Sequence, residues 1–466
     1  MQGIKSYSGT KHFFEVISSI DWIILLILGP IYLFISPNQS WALLIIPLLW
    51  IISLLAGKKP ISPTPFNLLF LIIVIQVLIS LYATYDIAIS LQKITGVVWG
   101  IAVFFALFRM NNSKKGILWS LIVFFVGGFG IATLGFLGIE WPSNKIILFN
   151  NFYSQFPSLT NLLPGIQEGF HPNEVGGALT WIIPFWIVIL MWLIIRLDKL
   201  RRYISTWILL VIFTLTGLLV ALSSVVLIFS QSRSAYIGMA LGILLIPLFL
   251  LRKKLKIAYI VLLLSGLGII LYFVLSGQMM VYLNQLFPDS GTASMAFSMN
   301  TLSGRIEIWS RAIYAIQDFA FTGMGMNTFR SIVNVLYPLQ TISADIPIKD
   351  IGHAHNLFLQ VALDLGIPGL IAFIGMYITS FWMIFKSSSR LRRWTKNKPI
   401  NHRSITMEFY LIVLVGLAGG QIAHLGYSMT DAIAFGAKPG IIFWVMQSII
   451  CGIFLITSKK VNQPSH

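Results

Sequence analysis

The chain is expected to be an all-α, polytopic integral membrane protein with about twelve transmembrane helices. Three observations carry that expectation. Of 466 residues, 57% are hydrophobic and only 10% are charged, against about 25% charge in an ordinary soluble protein. Apolar runs of membrane-spanning length recur along the whole chain. The basic residues also cluster in alternate connections between those runs.

The runs cover residues 20–35, 41–55, 66–82, 94–108, 117–139, 178–195, 204–229, 235–251, 257–275, 367–385, 409–424 and 440–456. Several are short for a hydrocarbon core of about 30 Å, so tilt or flanking residues must complete them. The first follows Lys5 and Lys11 and has no small-residue cleavage site at the right place, so it reads as a retained span rather than a signal peptide. Twenty-four of the 32 Lys and Arg fall in alternate connections, from Lys5 and Lys11 through Arg196–Arg202 and Lys386–Arg403 to Lys459 and Lys460. The other side holds Lys93, Lys145, Arg233, Arg305, Arg311, Arg330, Lys349 and Lys438. The positive-inside rule then places both termini in the cytoplasm. The formal net charge of +17 is thereby read as a topology signal, and a nucleic-acid partner is set aside. The single cysteine, Cys451, lies in the last run, which leaves no disulfide framework and no zinc site.

The organisation follows. Residues 1–275 hold the first nine spans, with an outer loop at about 140–177. Residues 276–366 form a large, helical outer loop between helices 9 and 10. Residues 367–466 hold the last three spans and a cytoplasmic tail. Chemistry is therefore expected on the outer face.

The candidates there are few. Arg233, in SQSRSAYIG, sits between two spans joined by almost no loop. It is either an arginine that snorkels to the interface or an anion ligand flanked by Ser230, Ser232 and Ser234. Arg305, in SGRIEIWSRA, precedes Arg311 by six residues, and Arg305, Ile308, Trp309 and Ala312 share one face of an amphipathic helix. Arg305 is either an anion ligand or a loop charge paired with Glu307 or Asp318. His353 and His355 open the tenth span in GHAHNLFLQVALDLGIPG. Ligands one residue apart diverge and no suitable third ligand follows, so a general base fits better than a metal site. Asn356, Gln360 and Asp364 continue as a polar stripe at helical spacing. His171, Asn173 and Glu174 precede the sixth span, with Glu174 a second possible base. The run GMGMNTF only superficially suggests a phosphate loop. His424 and Asp431, in the last outer turn, are either a proton-relay pair or a buried hydrogen-bonded pair.

Three of these elements, in this order, resemble one family. They are SxSRxA around Arg233, GRxxxW around Arg305, and His355-Asn356 followed after nine residues by Gly366 and then Gly369. The chain is similar to the bacterial O-antigen ligase superfamily, which includes O-antigen polymerases. That resemblance implies an inverting, metal-independent membrane glycosyltransferase of the C-type architecture, with no cofactor, in the bacterial inner membrane. Its donor would be a glycan on undecaprenyl pyrophosphate at the periplasmic face. The acceptor would be lipid A–core in lipopolysaccharide biosynthesis for a ligase, or another lipid-linked glycan for a polymerase. By the same resemblance Arg233 and Arg305 would bind the pyrophosphate and His355 would activate the acceptor hydroxyl. His353, Asn356, Arg311, His171, Asn173 and Glu174 would surround the substrates. Physical chemistry agrees: arginine offers a fixed, permanently charged fork to phosphate oxygens. A polysaccharide or lipid transporter is the rival from another class, but it should place ionisable residues near the bilayer midplane, where these spans carry almost none.

Overall fold

The computed structural model describes residues 2–139, 170–251, 253–275, 302–338, 351–395 and 402–461. These residues are overwhelmingly helical, and their β-structure is one isolated bridge, Ile139 to Phe170. The helices are α1 (Gln2–Ile27), α2 (Gly29–Leu33), α3 (Ile45–Leu55, entered by a 3-10 turn from Pro37), α4 (Asn67–Ala83), α5 (Ile87–Met110), α6 (Lys114–Gly138), α7 (Pro172–Leu200) and α8 (Thr206–Phe229). They continue with α9 (Arg233–Leu250), α10 (Lys253–Leu275), α11 (Leu302–Asp318), α12 (Phe329–Leu336), α13 (Leu357–Thr395), α14 (His402–Ser428) and α15 (Ile441–Val461).

Among the described residues nine helical segments are long and apolar enough to cross a membrane. The expected count of twelve is not reached on that measure: the first, third and ninth expected spans fall outside the nine. The first is divided between α1 and α2 at Leu28, where Gly29 and Pro30 follow. Proline lacks the N–H that would continue the ladder. α4 has 17 residues, about 26 Å at 1.5 Å per residue, just under the hydrocarbon thickness. Most of the first expected outer loop (140–169) lies outside the described residues, as do 276–301 and 339–350 of the second, with Lys145 and Lys349.

Burial sorts the helices into centre and periphery. In α5 83% of the apolar window is buried, whereas in α8 only 28% is, with Trp207, Leu210 and Leu218 turned outward. Apolar side chains facing out from a span are what a lipid environment requires. α9 packs most extensively on α14, and α7 packs on the same helix. Small residues permit the approach: a Cβ on Gly238 would stand 2.3 Å from the Ala423 carbonyl oxygen. Without a hydrophobic drive between helices in lipid, such close backbone contact is the main source of association.

α13 is two helices joined at a break. Gly366 has φ 69 and ψ 177, two residues before Pro368. A side chain there would be strained by the positive φ and would meet the Phe321 carbonyl oxygen at 2.5 Å. The break frees Leu363 O to accept from Met324 N at 2.7 Å and lets Ile367 N donate to Ala320 O at 2.7 Å. Segment 319–328 is thereby pinned against the first half of α13. α11 lays Ile308, Ala312 and Ala315 into a small second core with Met324, Phe329, Val333, Ala354 and Leu363. The amphipathic reading of α11 is thus met by protein packing on its apolar face.

Candidate active site

The segment before α13 is shaped so that two imidazoles turn towards one carboxylate. Asn356 begins the helix: its Oδ1 accepts from Phe358 N at 3.0 Å and Leu359 N at 3.1 Å, satisfying orphan donors of the first turn. Its Nδ2 donates to Met429 O at 3.0 Å, tying this helix start to the turn after α14. Gln360 reaches back to accept from Ala354 N at 2.8 Å and donates to Asp364 Oδ1 at 2.9 Å. Asp364 Oδ1 also accepts from Asn327 N at 2.9 Å. With both ends held, His355 adopts φ 49, a region non-glycine residues sparsely populate and which clusters at functional sites.

Asp431 lies at the centre. It is 1% exposed. Its Oδ1 is 3.5 Å from Nε2 of His353 and 3.5 Å from Nδ1 of His355, and its Oδ2 is 3.6 Å from a terminal nitrogen of Arg305. Arg305 also donates from Nη1 to Ser234 Oγ at 3.4 Å, and Thr430 donates to the same hydroxyl at 2.9 Å. The residues come from α9, α11, the start of α13 and the turn after α14. Among the described residues, His355 Nδ1, Arg305 Nε and Asp431 Oδ2 are buried without a hydrogen-bond partner in the protein. Such atoms are costly to bury and are available to a substrate, since catalytic hydrogen bonds are often long until one binds.

The electrostatics are asymmetric. Burial of Asp431 favours its neutral form, but the His355 imidazole 3.5 Å away and the charges of His353 and Arg305 outweigh it. The carboxyl is held at about 2. Burial pushes His353 down to about 3; Asp431 opposes this, while His355, Lys93 and His171 reinforce it. At neutral pH the site therefore holds a carboxylate beside a neutral His353.

One ligand-capable atom from each of His353, His355 and Asp431 lies within 4.8 Å of the others, a spacing open to a metal ion. Sequence spacing gave no hint of this third ligand. One hydrogen bond bears on His353 as such a ligand. Nδ1 of His353 accepts from His355 N at 3.0 Å, so the proton of the neutral ring sits on Nε2, which points at Asp431. A histidine binding metal through Nε2 would instead donate a proton from Nδ1.

Arg233 is exposed in the first turn of α9, beside Ser234. Its serine flank serves the junction: Ser232 caps α9, and Ser230 bonds back to Leu227 O. Arg311 is not brought to the cluster. It faces Glu307 at 3.9 Å and donates to Pro338 O at 3.1 Å. Asp318 accepts from Tyr337, and the acid facing Arg305 is Asp431. His171, exposed, precedes α7, with Asn173 buried and Glu174 half-buried in its first turn. Glu174 faces Lys93 and Lys438 electrostatically rather than the imidazoles. His424 does not pair with Asp431. It stacks on Trp181 at 3.6 Å and contacts Thr180 and Gly177 O. The glycine run at 323–329 is a packing turn: Met326 N and Asn327 N donate to Ser80 and Asp364. Sequence reasoning paired Asp431 with His424 and missed it as the partner of His355 and Arg305; its one signal was a lone acid in a short outer turn.

Residues 218–374 match the family model Wzy_C, described as O-antigen ligase. Arg233, Arg305, His353, His355 and Asn356 fall inside the matched segment, and Asp431 lies beyond it. The match supports the O-antigen ligase and polymerase superfamily that the three motifs resemble. No curated protein matches the chain.

Proposed function

From an O-antigen ligase-type domain carried by a multi-helix, membrane-type chain, we propose a glycosyltransferase that moves a glycan from undecaprenyl pyrophosphate to an acceptor hydroxyl at the periplasmic face of the bacterial inner membrane. The observation that carries the proposal is the convergence of His355 and Arg305 on buried Asp431. The acceptor hydroxyl gives its proton to His355. Its oxygen attacks the anomeric carbon as the bond from that carbon to the pyrophosphate oxygen breaks, with inversion. Asp431 orients the ring and stabilises the imidazolium that forms, and a positioned base of this kind contributes about 10²–10⁴ in rate. Negative charge developing on the departing pyrophosphate meets Arg305 from the buried side and Arg233 from the exposed rim. Two fixed guanidinium groups then do what a divalent cation does elsewhere, in keeping with the tautomer of His353.

Attachment of O-antigen to lipid A–core is the preferred reaction; polymerisation of lipid-linked repeats uses the same chemistry with another acceptor. Purified chain given a lipid-linked glycan, with and without lipid A–core, separates them by mass spectrometry. Glycan on lipid A–core marks a ligase, and a ladder of repeats formed without it marks a polymerase. Absence of both products, with donor bound, would overturn the transferase reading.

A further inference from the structure

At the end of the helix bundle opposite the His355 cluster lies a cavity of about 620 Å³. It runs along α7 from Phe185 to Leu200 and is closed by α6, α8 and the start of α14. Its lining is almost wholly apolar, with Trp186, Trp192 and Phe409 prominent. That stretch of helix makes it about 24 Å long at 1.5 Å per residue, roughly one leaflet with its headgroup layer. The start of α7 packs against the Ser230–Ser232 junction, where a Cβ on Gly176 would stand 2.8 Å from Ser230 Oγ, so the cavity occupies the other half of that helix.

The charge at the cavity's far end is specific in sign. Arg196, Lys199, Arg201 and Arg202 flank the lining residues Leu200 and Tyr203 in the chain, and Arg201 and Arg202 are exposed. The nearby acids are Asp198 and Glu408, and Glu408 is engaged by Arg196 at 2.5 Å and by Trp192 Nε1 at 3.2 Å. α8 then begins with Ser205 as its cap and no acid in its first turn, so its positive dipole end faces the same place. An apolar slot one leaflet deep beneath an exposed pair of arginines and a helix start matches one chemistry, acyl chains under an anionic phosphate.

We propose that this cavity is a binding site for one anionic phospholipid of the cytoplasmic leaflet. The site is separate from the transfer reaction and does not rest on it.

The test is native mass spectrometry of the full chain in detergent, titrated with phosphatidylglycerol or phosphatidylcholine of the same acyl chains. Phosphatidylglycerol should bind with one-to-one stoichiometry and be retained preferentially. The Arg201→Gln, Arg202→Gln double variant should weaken it about thirtyfold, at roughly fivefold for each arginine removed near an anionic headgroup. Leu209→Trp, which fills the slot, should reduce adducts of both lipids. Equal retention of the two lipids, or unaltered phosphatidylglycerol binding by the double variant, would overturn the proposal. So would undecaprenyl phosphate displacing phosphatidylglycerol in a competition, which would make the slot a polyprenyl channel. The exposed arginine pair can be changed without disturbing packing, so the test survives if Leu209→Trp does not fold.

Discussion

Asp431 Oδ1 stands 3.5 Å from Nδ1 of His355, at the meeting of two segments far apart in the chain. The contact joins a residue inside the matched family segment to one outside it. It also explains why a buried acid at 1% exposure stays ionised: imidazole and guanidinium groups face it from separate elements.

The first expectation concerns that acid. Asp431→Asn keeps the size of the side chain and removes its charge. Transfer should fall by about 10²-fold, the lower range of what a positioned base contributes, while donor binding stays within a few-fold of wild type. Single-turnover rates and equilibrium binding of the lipid-linked donor check it. Transfer at the wild-type rate would remove Asp431 from the mechanism.

The arginines should separate by role. Arg305→Lys retains charge but loses the fork, and transfer should drop by 10-fold or more. Arg233→Lys, at the exposed rim, should raise KM more than it lowers kcat. Arg311→Ala should leave transfer nearly intact, with a stability change within about 1 kcal/mol, as for other partly exposed ion pairs. A severe transfer defect in Arg311→Ala with an unchanged melting temperature would place that residue back among the substrate ligands.

Acid stability offers a test of the charge states. His353 has a folded value of about 3, below its ordinary 6.5. The unfolded chain therefore binds the extra proton between those pH values, and stability should fall as pH drops from 6.5 towards 3. Asp431 acts in the same direction: its contribution is present above the ordinary carboxylate range and is lost as pH falls towards 2. Thermal unfolding in detergent across pH 3–7 should show this decline, and His353→Gln should flatten its upper part. An unchanged slope in that variant would mean His353 is not held neutral by the fold.

Gly366 should tolerate no side chain. Its φ of 69 and the 2.5 Å approach of Phe321 O to a built Cβ both oppose alanine. Gly366→Ala should destabilise by roughly 1–3 kcal/mol on backbone strain alone, and it should loosen the 319–328 turn that reaches Asp364. A melting temperature equal to wild type would contradict the packing role assigned to the break.

Much of this was legible in the sequence. Hydropathy and the placement of Arg196–Arg202 gave the helical, multi-span class, and His355 and Arg305 stood out as rare polar residues on one side. Hydropathy averages over the Gly29–Pro30 break and so did not show that the first expected run is divided between two helices. Asn356 caps a helix and Arg311 pairs within one, and composition does not distinguish such groups from a free polar group. Asp431 was invisible as a partner of His355 because the contact depends on how the turn after α14 folds onto the start of α13, through Asn356 and Met429. No local pattern encodes that.

The most direct test of the account is a double-mutant cycle on transfer with His355→Ala, Asp431→Asn and the pair together, using one lipid-linked donor and one acceptor. Residues acting as a unit are strongly non-additive. The double variant should be no slower than His355→Ala alone, with donor binding retained throughout. If the two losses multiply, or if Asp431→Asn transfers like wild type, then His355 does not work through Asp431 and the proposed catalytic centre is wrong.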